Sequence, residues 1–258
     1  MRSIVSSFSL AMGLGISSLS MAAKPAKPVK KATVAPAATA APAAPTQAPA
    51  QKWDFEVKAD DSVFGVVTHK AGIAAKLAHN HLIAARQFSA AITADPTKLN
   101  EGSFTFKAKV NELEVDRNDL QKKWFPTVQA LGWLSEPFSN LKDSDRDTIR
   151  ENALAADQLD AQKFPEIEAR VESITDSSSK IGGKSFAKKA EVSVTIHGQT
   201  VKRTFAANLN LQGPELTVEA AADFKFTEFG IQPYKALMGA LGNDDKFNML
   251  VSFRAVKK

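Results

Sequence analysis

Apolar and polar residues alternate along much of the chain after residue 53, with the two-residue period of a β-strand that is buried on one face. The clearest segment runs from Gly102 to Val110, where one face is wholly apolar and consists of Phe104, Phe106, Ala108 and Val110. The same period predicts a hairpin over 190–213 with its turn at His197–Thr200, and further strands over the segments 53–57, 63–69, 81–94, 215–231 and 246–256. The pattern therefore predicts a mainly β domain of about eight antiparallel strands.

One region, residues 118–160, lacks this alternation and predicts helices. Ser144 followed by Asp147 is typical of a capped helix start, and helical spacing of apolar residues continues through Ile149, Leu154 and Leu159. A helical insertion in an antiparallel sheet either closes one end of a barrel or covers a sheet edge.

Strands with one apolar face form either a two-layer sandwich or a closed barrel, and alternation alone does not choose between them. The chain contains 16 phenylalanines but one tyrosine. A ring without a polar group suits either a packed core or an apolar pocket. If a pocket exists, the apolar strand faces predict its lining as Phe104, Phe106, Val110, Phe205, Leu209, Phe224, Phe226, Met249 and Phe253.

The first 52 residues differ in composition from the rest. Residues 1–22 combine Arg2 with a mostly apolar stretch and small residues up to Ala22, as in a secretory signal peptide. Residues 23–52 consist almost wholly of Ala, Pro, Lys and Thr, which predicts a disordered tether or spacer. We expect an exported protein, periplasmic or secreted, whose mature chain has no transmembrane segment.

Charge and cysteine content exclude several classes of protein. The formal net charge is +5, but residues 1–52 hold six of the 33 basic residues and none of the 28 acidic ones. Residues 53–258 therefore carry 27 basic and 28 acidic groups, without the basic excess of a nucleic-acid-binding domain. The chain has no cysteine, which rules out disulfides, thiol catalysis and zinc–thiolate sites.

Two of the four histidines, His79 and His81, lie at alternate positions in or beside a predicted strand, so both imidazoles would share a face. They predict either polar groups that bind a ligand headgroup, such as a quinone carbonyl or a phosphate, or two ligands of a divalent metal. A metal site needs a third ligand, for which His69 is the natural candidate. Histidines that are merely buried and hydrogen-bonded are a third interpretation.

Enzyme motifs are missing from the sequence. It contains no nucleophile elbow, phosphate-binding glycine loop or dinucleotide-binding motif. His197 lies in a predicted hairpin turn, where we expect it to be exposed to solvent. The charged residues Arg146, Asp147 and Arg150 predict a solvated helix face or a charged cap on the barrel mouth. We therefore predict a protein that is not an enzyme.

Four segments, in their order along the chain, resemble the YceI-like family. They are "VVTHKAGIAAKLAHNHLIAARQFSAAI", "DRDTIRENALAADQLDAQKFPEIEARVESI", "VSVTIHGQTVKRTFAANL" and "ADFKFTEFGI". The resemblance implies an exported, lipocalin-like antiparallel β-barrel over residues 53–258 that binds an isoprenoid lipid. Two departures are a longer stretch at 116–140 and the "A-H-N-H" segment, which resembles a subset of the family.

Three hypotheses follow. The first is an exported, tethered barrel that sequesters or carries an amphiphilic lipid, isoprenoid or quinone-like, as a monomer or a homodimer. The second is a periplasmic metal-binding protein that uses His79, His81 and His69. The third is a structural or envelope interaction module whose barrel is filled by its own side chains.

Overall fold

The computed structural model describes residues 51–258, so the predicted signal peptide and most of the predicted tether lie outside the described residues. The strands are β1 (Trp53–Val57), β2 (Val63–Ala71), β3 (His81–Ala85), β4 (Phe88–Asp95), β5 (Lys98–Lys109), β6 (Leu113–Val115), β7 (Glu166–Ile181), β8 (Lys184–Ile196), β9 (Gln199–Gln212), β10 (Glu215–Lys225), β11 (Lys235–Ala236) and β12 (Leu241–Lys257). The helices are α1 (Asn118–Ala130) and α2 (Asp143–Leu154). No helix within residues 51–258 has the length and apolar character needed to cross a bilayer.

Eight strands close into an antiparallel ring in the order β1-β4-β5-β7-β8-β9-β10-β12, and β12 pairs back to β1. This ring, with its two inserted helices, confirms the predicted antiparallel barrel. Strand β12 has 17 residues and pairs with two strands along one of its edges. Its segment 242–252 pairs with β2, and its segment 255–257 pairs with β1. From that junction, β2, β3 and β6 extend the sheet beyond the ring.

The predicted strand over 81–94 is wrong in one respect, because it consists of two strands, β3 and β4, separated at Arg86–Gln87. β3 pairs with β2 and β6, whereas β4 pairs with β1 and β5, so the chain passes from the extension into the ring at this point. Apolar residues keep the same spacing on both sides of the break, which is why the sequence pattern did not reveal it. Phe226, predicted to lie in a strand, belongs to a short 3-10 helix at Phe226–Phe229.

Helix α1 packs against the outer face of the sheet. Its buried residues Leu120, Trp124 and Val128 recur every four positions and therefore form one face of the helix. That face belongs to a buried cluster with residues of β2, β3, β10 and β12, namely Val63, Val67, Leu82, Ala84, Ala221 and Leu250. The sheet is thus covered by apolar side chains on its outer face as well as its inner face in this region.

The turn between β7 and β8 fits against the end of α1 because it contains glycine. Gly182 has a φ of +55°, and a Cβ atom there would lie 2.4 Å from the carbonyl carbon of Leu131. The backbone N–H of Gly183 donates to the carbonyl of Ala130 at 2.7 Å, which occupies one of the carbonyls at the helix end. Both the conformation and the close approach favour glycine over any residue with a side chain.

Helix α2 begins at Asp143, and the predicted cap at Ser144 is wrong: the capping position is Lys142, which makes no side-chain cap hydrogen bond. Arg146 donates to the carbonyl of Leu141 at 2.7 Å instead. Arg150 donates to the carbonyl of Leu113 at 3.0 Å and ties the helix to β6. These arginines are therefore only partly solvated, since each fixes α2 against neighbouring backbone.

Candidate ligand cavity

The barrel encloses a cavity of about 400 Å³, a size typical of small-molecule sites. Side chains from the ring, from β2 and β3, and from α2 form its wall, and most of them are apolar. Seven of the nine residues predicted from the strand faces line it, namely Phe104, Phe106, Phe205, Leu209, Phe226, Met249 and Phe253. The third hypothesis required a barrel filled by its own side chains. The cavity contradicts that requirement.

Aromatic rings form a continuous part of this wall. The ring of Phe64 on β2 lies 4.5 Å from that of Phe106 and 5.7 Å from that of Phe253, measured between centroids. Phe104 and Phe253 stack at 5.6 Å. Phe64 was absent from the predicted lining, because β2 is apolar on both faces and its alternation does not reveal which face is internal.

Two predicted lining residues do not reach the cavity. Val110 leaves the alternation of β5, because it starts a short 3-10 turn at Val110–Glu112 and its backbone N–H donates to the carbonyl of Pro165 at 2.8 Å. Phe224 is buried with its ring centroid 5.8 Å from that of Phe205 and 5.6 Å from those of Phe229 and Phe247. Those three rings line the cavity, whereas Phe224 packs as ordinary core.

His79 and His81 both line the cavity, with ring centroids 6.5 Å apart. The Nδ1 atom of His81 lies 2.5 Å from a carboxylate oxygen of Asp116. That carboxylate also accepts from the backbone N–H of Leu82 and from the side-chain amide of Gln121, each at 2.8 Å. An ionised carboxylate only accepts hydrogen bonds, so with Asp116 in that form Nδ1 of His81 is the donor of this bond and Nε2 is the acceptor in the neutral ring.

Asp116 was not among the predicted site residues; it is 1% exposed and follows β6 directly. Its φ of +51° lies in the left-handed region that aspartate tolerates better than most residues. The backbone N–H of Asp116 donates to the carbonyl of Leu82 at 2.9 Å, so the residue is attached to β3 by its main chain and its side chain. An aspartate between a strand and a helix is ordinarily a cap, and nothing in the sequence distinguishes this one.

Two further polar groups lie at the same end of the cavity. The Nδ1 atom of His79 lies 2.8 Å from the hydroxyl of Ser139, which belongs to the connection between α1 and α2. Thr68 lines the cavity on β2, directly opposite His81 in the strand register. Its hydroxyl is buried and has no hydrogen-bond partner in the described chain. Buried hydroxyls usually have partners, and that of Thr68 lacks one among residues 51–258 although it lies opposite His81.

His69 is separated from this cluster by the geometry of β2. Thr68 and Val66 line the cavity, and His69 has the opposite parity on the strand, where its Nε2 lies 2.5 Å from the side-chain oxygen of Asn248. The strand thus directs His69 away from His79 and His81. Within residues 51–258 there is no group of three or more His, Asp or Glu side chains arranged to hold a metal ion.

His197 is only partly exposed, which corrects the expectation of a solvated turn residue. It occupies the hairpin turn with a φ of +51°. Its ring lies 4.4 Å from that of Phe164, and its Nδ1 donates to the carbonyl of Phe229 at 3.1 Å. The residue holds the 3-10 helix at Phe226–Phe229 in place and does not line the cavity.

A model of the YceI-like domain matches residues 53–253 of the chain. Among solved structures, BcnA from Burkholderia cenocepacia matches with a TM-score of 0.52 and 16% identity, over 78% of this chain and 100% of that one, which supports the fold alone. A YCEI protein from Campylobacter jejuni matches with a TM-score of 0.45 and 13% identity, over 68% and 84% of the two chains. A polyisoprenoid binding domain from Saccharophagus degradans, implicated in plant cell wall breakdown, matches with a TM-score of 0.48 and 7% identity, over 79% and 98%. No curated protein matches the chain.

Proposed function

The chain belongs to the YceI-like family, and we propose that it is an exported protein that holds an amphiphilic lipid, isoprenoid or quinone-like, in its barrel without transforming it. The observation that carries this proposal is the distribution of polar groups around the cavity. The wall is largely apolar, and its two histidines lie together beside Thr68, while the other polar lining residues, among them Thr93, Ser103, Asn152 and Gln158, come from other elements. A ligand with a long apolar tail and a compact polar head can place its tail against this wall and its head beside the histidines.

The apolar wall would supply most of the binding free energy. Burial contributes about 25 cal/mol for each Å² of apolar surface removed from water. The stacked rings of Phe64, Phe104, Phe106 and Phe253 offer broad faces to a branched, unsaturated hydrocarbon. Such contacts are not directional, so they favour an apolar tail without selecting its head.

The polar end would select the headgroup. With Nδ1 of His81 bound to Asp116, the neutral imidazole offers Nε2 as an acceptor for a hydroxyl or hydroquinone O–H. A second proton on the ring turns Nε2 into a donor for a carbonyl or phosphate oxygen. The hydroxyl of Thr68 is free to donate to the same head, which would supply the partner that it lacks in the described chain. These groups can bind and orient a head, and the proposal assigns them no catalytic step.

Native mass spectrometry of the protein purified from its own cell envelope tests this function. We expect an additional mass of lipid size that organic solvent releases. Ala169 lines the cavity, so Ala169→Phe should fill part of it and reduce the retained lipid. Ala91 is exposed on β4, and Ala91→Phe is the matched control that should keep the lipid. Equal retention in both variants, or a bare polypeptide mass in the wild-type protein, would contradict the proposal.

Export is part of the same proposal and rests on residues 1–22, whose composition is that of a secretory signal. Fractionation of cells followed by N-terminal sequencing tests it. We expect the mature chain outside the cytoplasm with its first residue near Ala23. A cytoplasmic chain that retains Met1 would contradict export while leaving the lipid proposal intact.

A further inference from the structure

Four large apolar side chains of the described chain are exposed, and all of them lie on two neighbouring loops. Ile73 is 98% exposed and Leu77 is 72% exposed in the segment 70–80, and Leu237 and Met238 are similarly exposed in the segment 234–242. We call these two segments the mouth loops. Isolated exposed apolar residues are ordinary, but this concentration at one place on a barrel surface indicates a contact with an apolar phase.

The mouth loops form one surface because their backbones are joined. The N–H of Ala74 donates to the carbonyl of Ala240 at 2.8 Å. Beside that contact, Ala71 pairs with Gly242 in the antiparallel register of β2 and β12. A Cβ atom on Gly72 would lie 2.4 Å from the same carbonyl oxygen of Ala240, so glycine allows the close approach.

This surface lies at the entrance of the cavity. Leu77 lines the cavity and is largely exposed, so the cavity reaches solvent beside it. Tyr234 and Leu241, at the two ends of the other loop, also line the cavity. A surface that touches the mouth loops would therefore face the entrance directly.

The charge of the mouth loops has a single sign. They carry three exposed lysines, Lys70, Lys76 and Lys235, and no carboxylate. The next carboxylates along the chain are Asp244 and Asp245, which accept hydrogen bonds from Lys246 and Thr227. Exposed apolar residues flanked by lysines are the composition of a surface that enters the headgroup region of an anionic bilayer.

The backbone around the exposed tip is in an unusual conformation. Leu237 and Met238 have φ values of +50° and +55°, and Gly239 follows at +85°. Leucine and methionine rarely adopt the left-handed region, which is unfavourable for residues with a Cβ atom. The conformation directs two large apolar side chains into solvent, which a folded chain ordinarily avoids unless the exposure has a use.

We propose that the mouth loops dock the barrel onto the surface of an anionic phospholipid bilayer, with Ile73, Leu77, Leu237 and Met238 entering the headgroup region. Lys70, Lys76 and Lys235 pair with lipid phosphates. The cavity entrance then opens toward the bilayer, so a lipid can pass between bilayer and barrel without crossing water. The docking concerns a surface of the protein and goes beyond the binding of a ligand inside it.

Flotation of the full mature chain with vesicles of equal parts phosphatidylglycerol and phosphatidylcholine tests the docking. The double variant Leu237→Asn, Met238→Asn removes the apolar tip and keeps a residue that tolerates the left-handed backbone. We expect its vesicle affinity to fall about tenfold or more, given the apolar area lost. Replacing Lys70, Lys76 and Lys235 by Gln should reduce affinity by about tenfold or more at low salt. The same change at the exposed lysines Lys122, Lys189 and Lys202 is the matched control and should have less effect.

Three outcomes would overturn the docking. They are a wild-type chain that does not float with these vesicles, a tip variant that floats as well as the wild type, and a dimer in sedimentation that the tip substitutions dissociate. The last result would mean that the mouth loops form a dimer interface with a second copy of the chain. Because Leu237 and Met238 do not line the cavity, the tip variant should retain its lipid in native mass spectrometry. Failure of docking and failure of ligand binding are thus separate results.

Discussion

The two faces of β3 have different surroundings, although their residues alternate along one short strand. Ile83 and His81 face the cavity, whereas Leu82 and Ala84 pack against α1 in a dry core. Leu82 is 1% exposed and surrounded by apolar side chains. We infer that β3 is largely apolar on both sides because both sides are covered, one by helix α1 and the other by the proposed ligand.

The largest expected effect belongs to the helix-facing side. Leu82→Ala should lower the free energy of unfolding by about 2–5 kcal/mol, since it removes buried atoms from a close-packed cluster. Ile83→Ala, its neighbour on the cavity side, should cost about half of that or less, because one side of Ile83 already faces empty volume. Urea unfolding of both ligand-free variants measures the difference. Equal losses would mean that the two faces are packed alike.

Asp116 connects the two faces, and its substitution should affect both. Asp116→Asn keeps an acceptor for Leu82 and Gln121 but places an N–H group near Nδ1 of His81. We expect a loss of about 1–3 kcal/mol in stability, as for a weakened charged hydrogen bond. The neutral His81 ring should then carry its proton on Nε2. Nitrogen NMR of the ring reports the tautomer, and an unchanged tautomer would refute the assignment of Asp116 as acceptor.

Substitution of His81 should weaken lipid binding, in addition to removing its hydrogen bond to Asp116. His81→Ala should weaken lipid retention about tenfold, the equivalent of one hydrogen bond to the head at about 1.4 kcal/mol. His69→Ala, on the opposite face of its strand, is the matched control and should leave retention unchanged. Competition between variants for a limiting amount of labelled lipid gives the ratio. A larger loss for His69→Ala than for His81→Ala would place the headgroup elsewhere.

The smallest effect on folding is expected at Thr68. Thr68→Val removes a buried hydroxyl that has no partner within residues 51–258, so the ligand-free protein should change by less than about 1 kcal/mol in stability and can become more stable. Retention of a lipid with a polar head should fall, because the head loses a donor. Thermal unfolding of the ligand-free chain, paired with the retention measurement, separates the two effects. A clear loss of stability without a change in retention would show that Thr68 serves the core.

Much of the barrel could be predicted from alternation, because strands such as β5, β10 and β12 have one apolar and one polar face over most of their length. Phe104, Phe106 and Phe253 line the cavity as that pattern predicted. Alternation could not identify the inward face of a strand that is apolar on both faces. β2 is apolar on both faces because α1 covers its outer side, so the inward positions of Phe64 and Thr68 were not visible in the sequence.

Only part of the polar end of the cavity could be predicted from the sequence. The spacing of His79 and His81 predicted that they share a strand face; both line the cavity, but His79 lies just before β3 begins at His81. Their partners Asp116 and Ser139 are distant along the chain and lie at ordinary loop positions. Such pairings depend on how the helical insertion returns to β3, and that path is set by tertiary packing.

The four histidines make one measurement especially direct. Imidazole nitrogen NMR of the histidine-labelled mature chain would be recorded before and after addition of a short-chain isoprenoid quinone, and again with an isoprenyl phosphate of the same length. We expect the signals of His79 and His81 to shift with at least one of these ligands, while those of His69 and His197 stay in place. Binding of either ligand that moves His69 or His197 and leaves His79 and His81 unchanged would contradict the account.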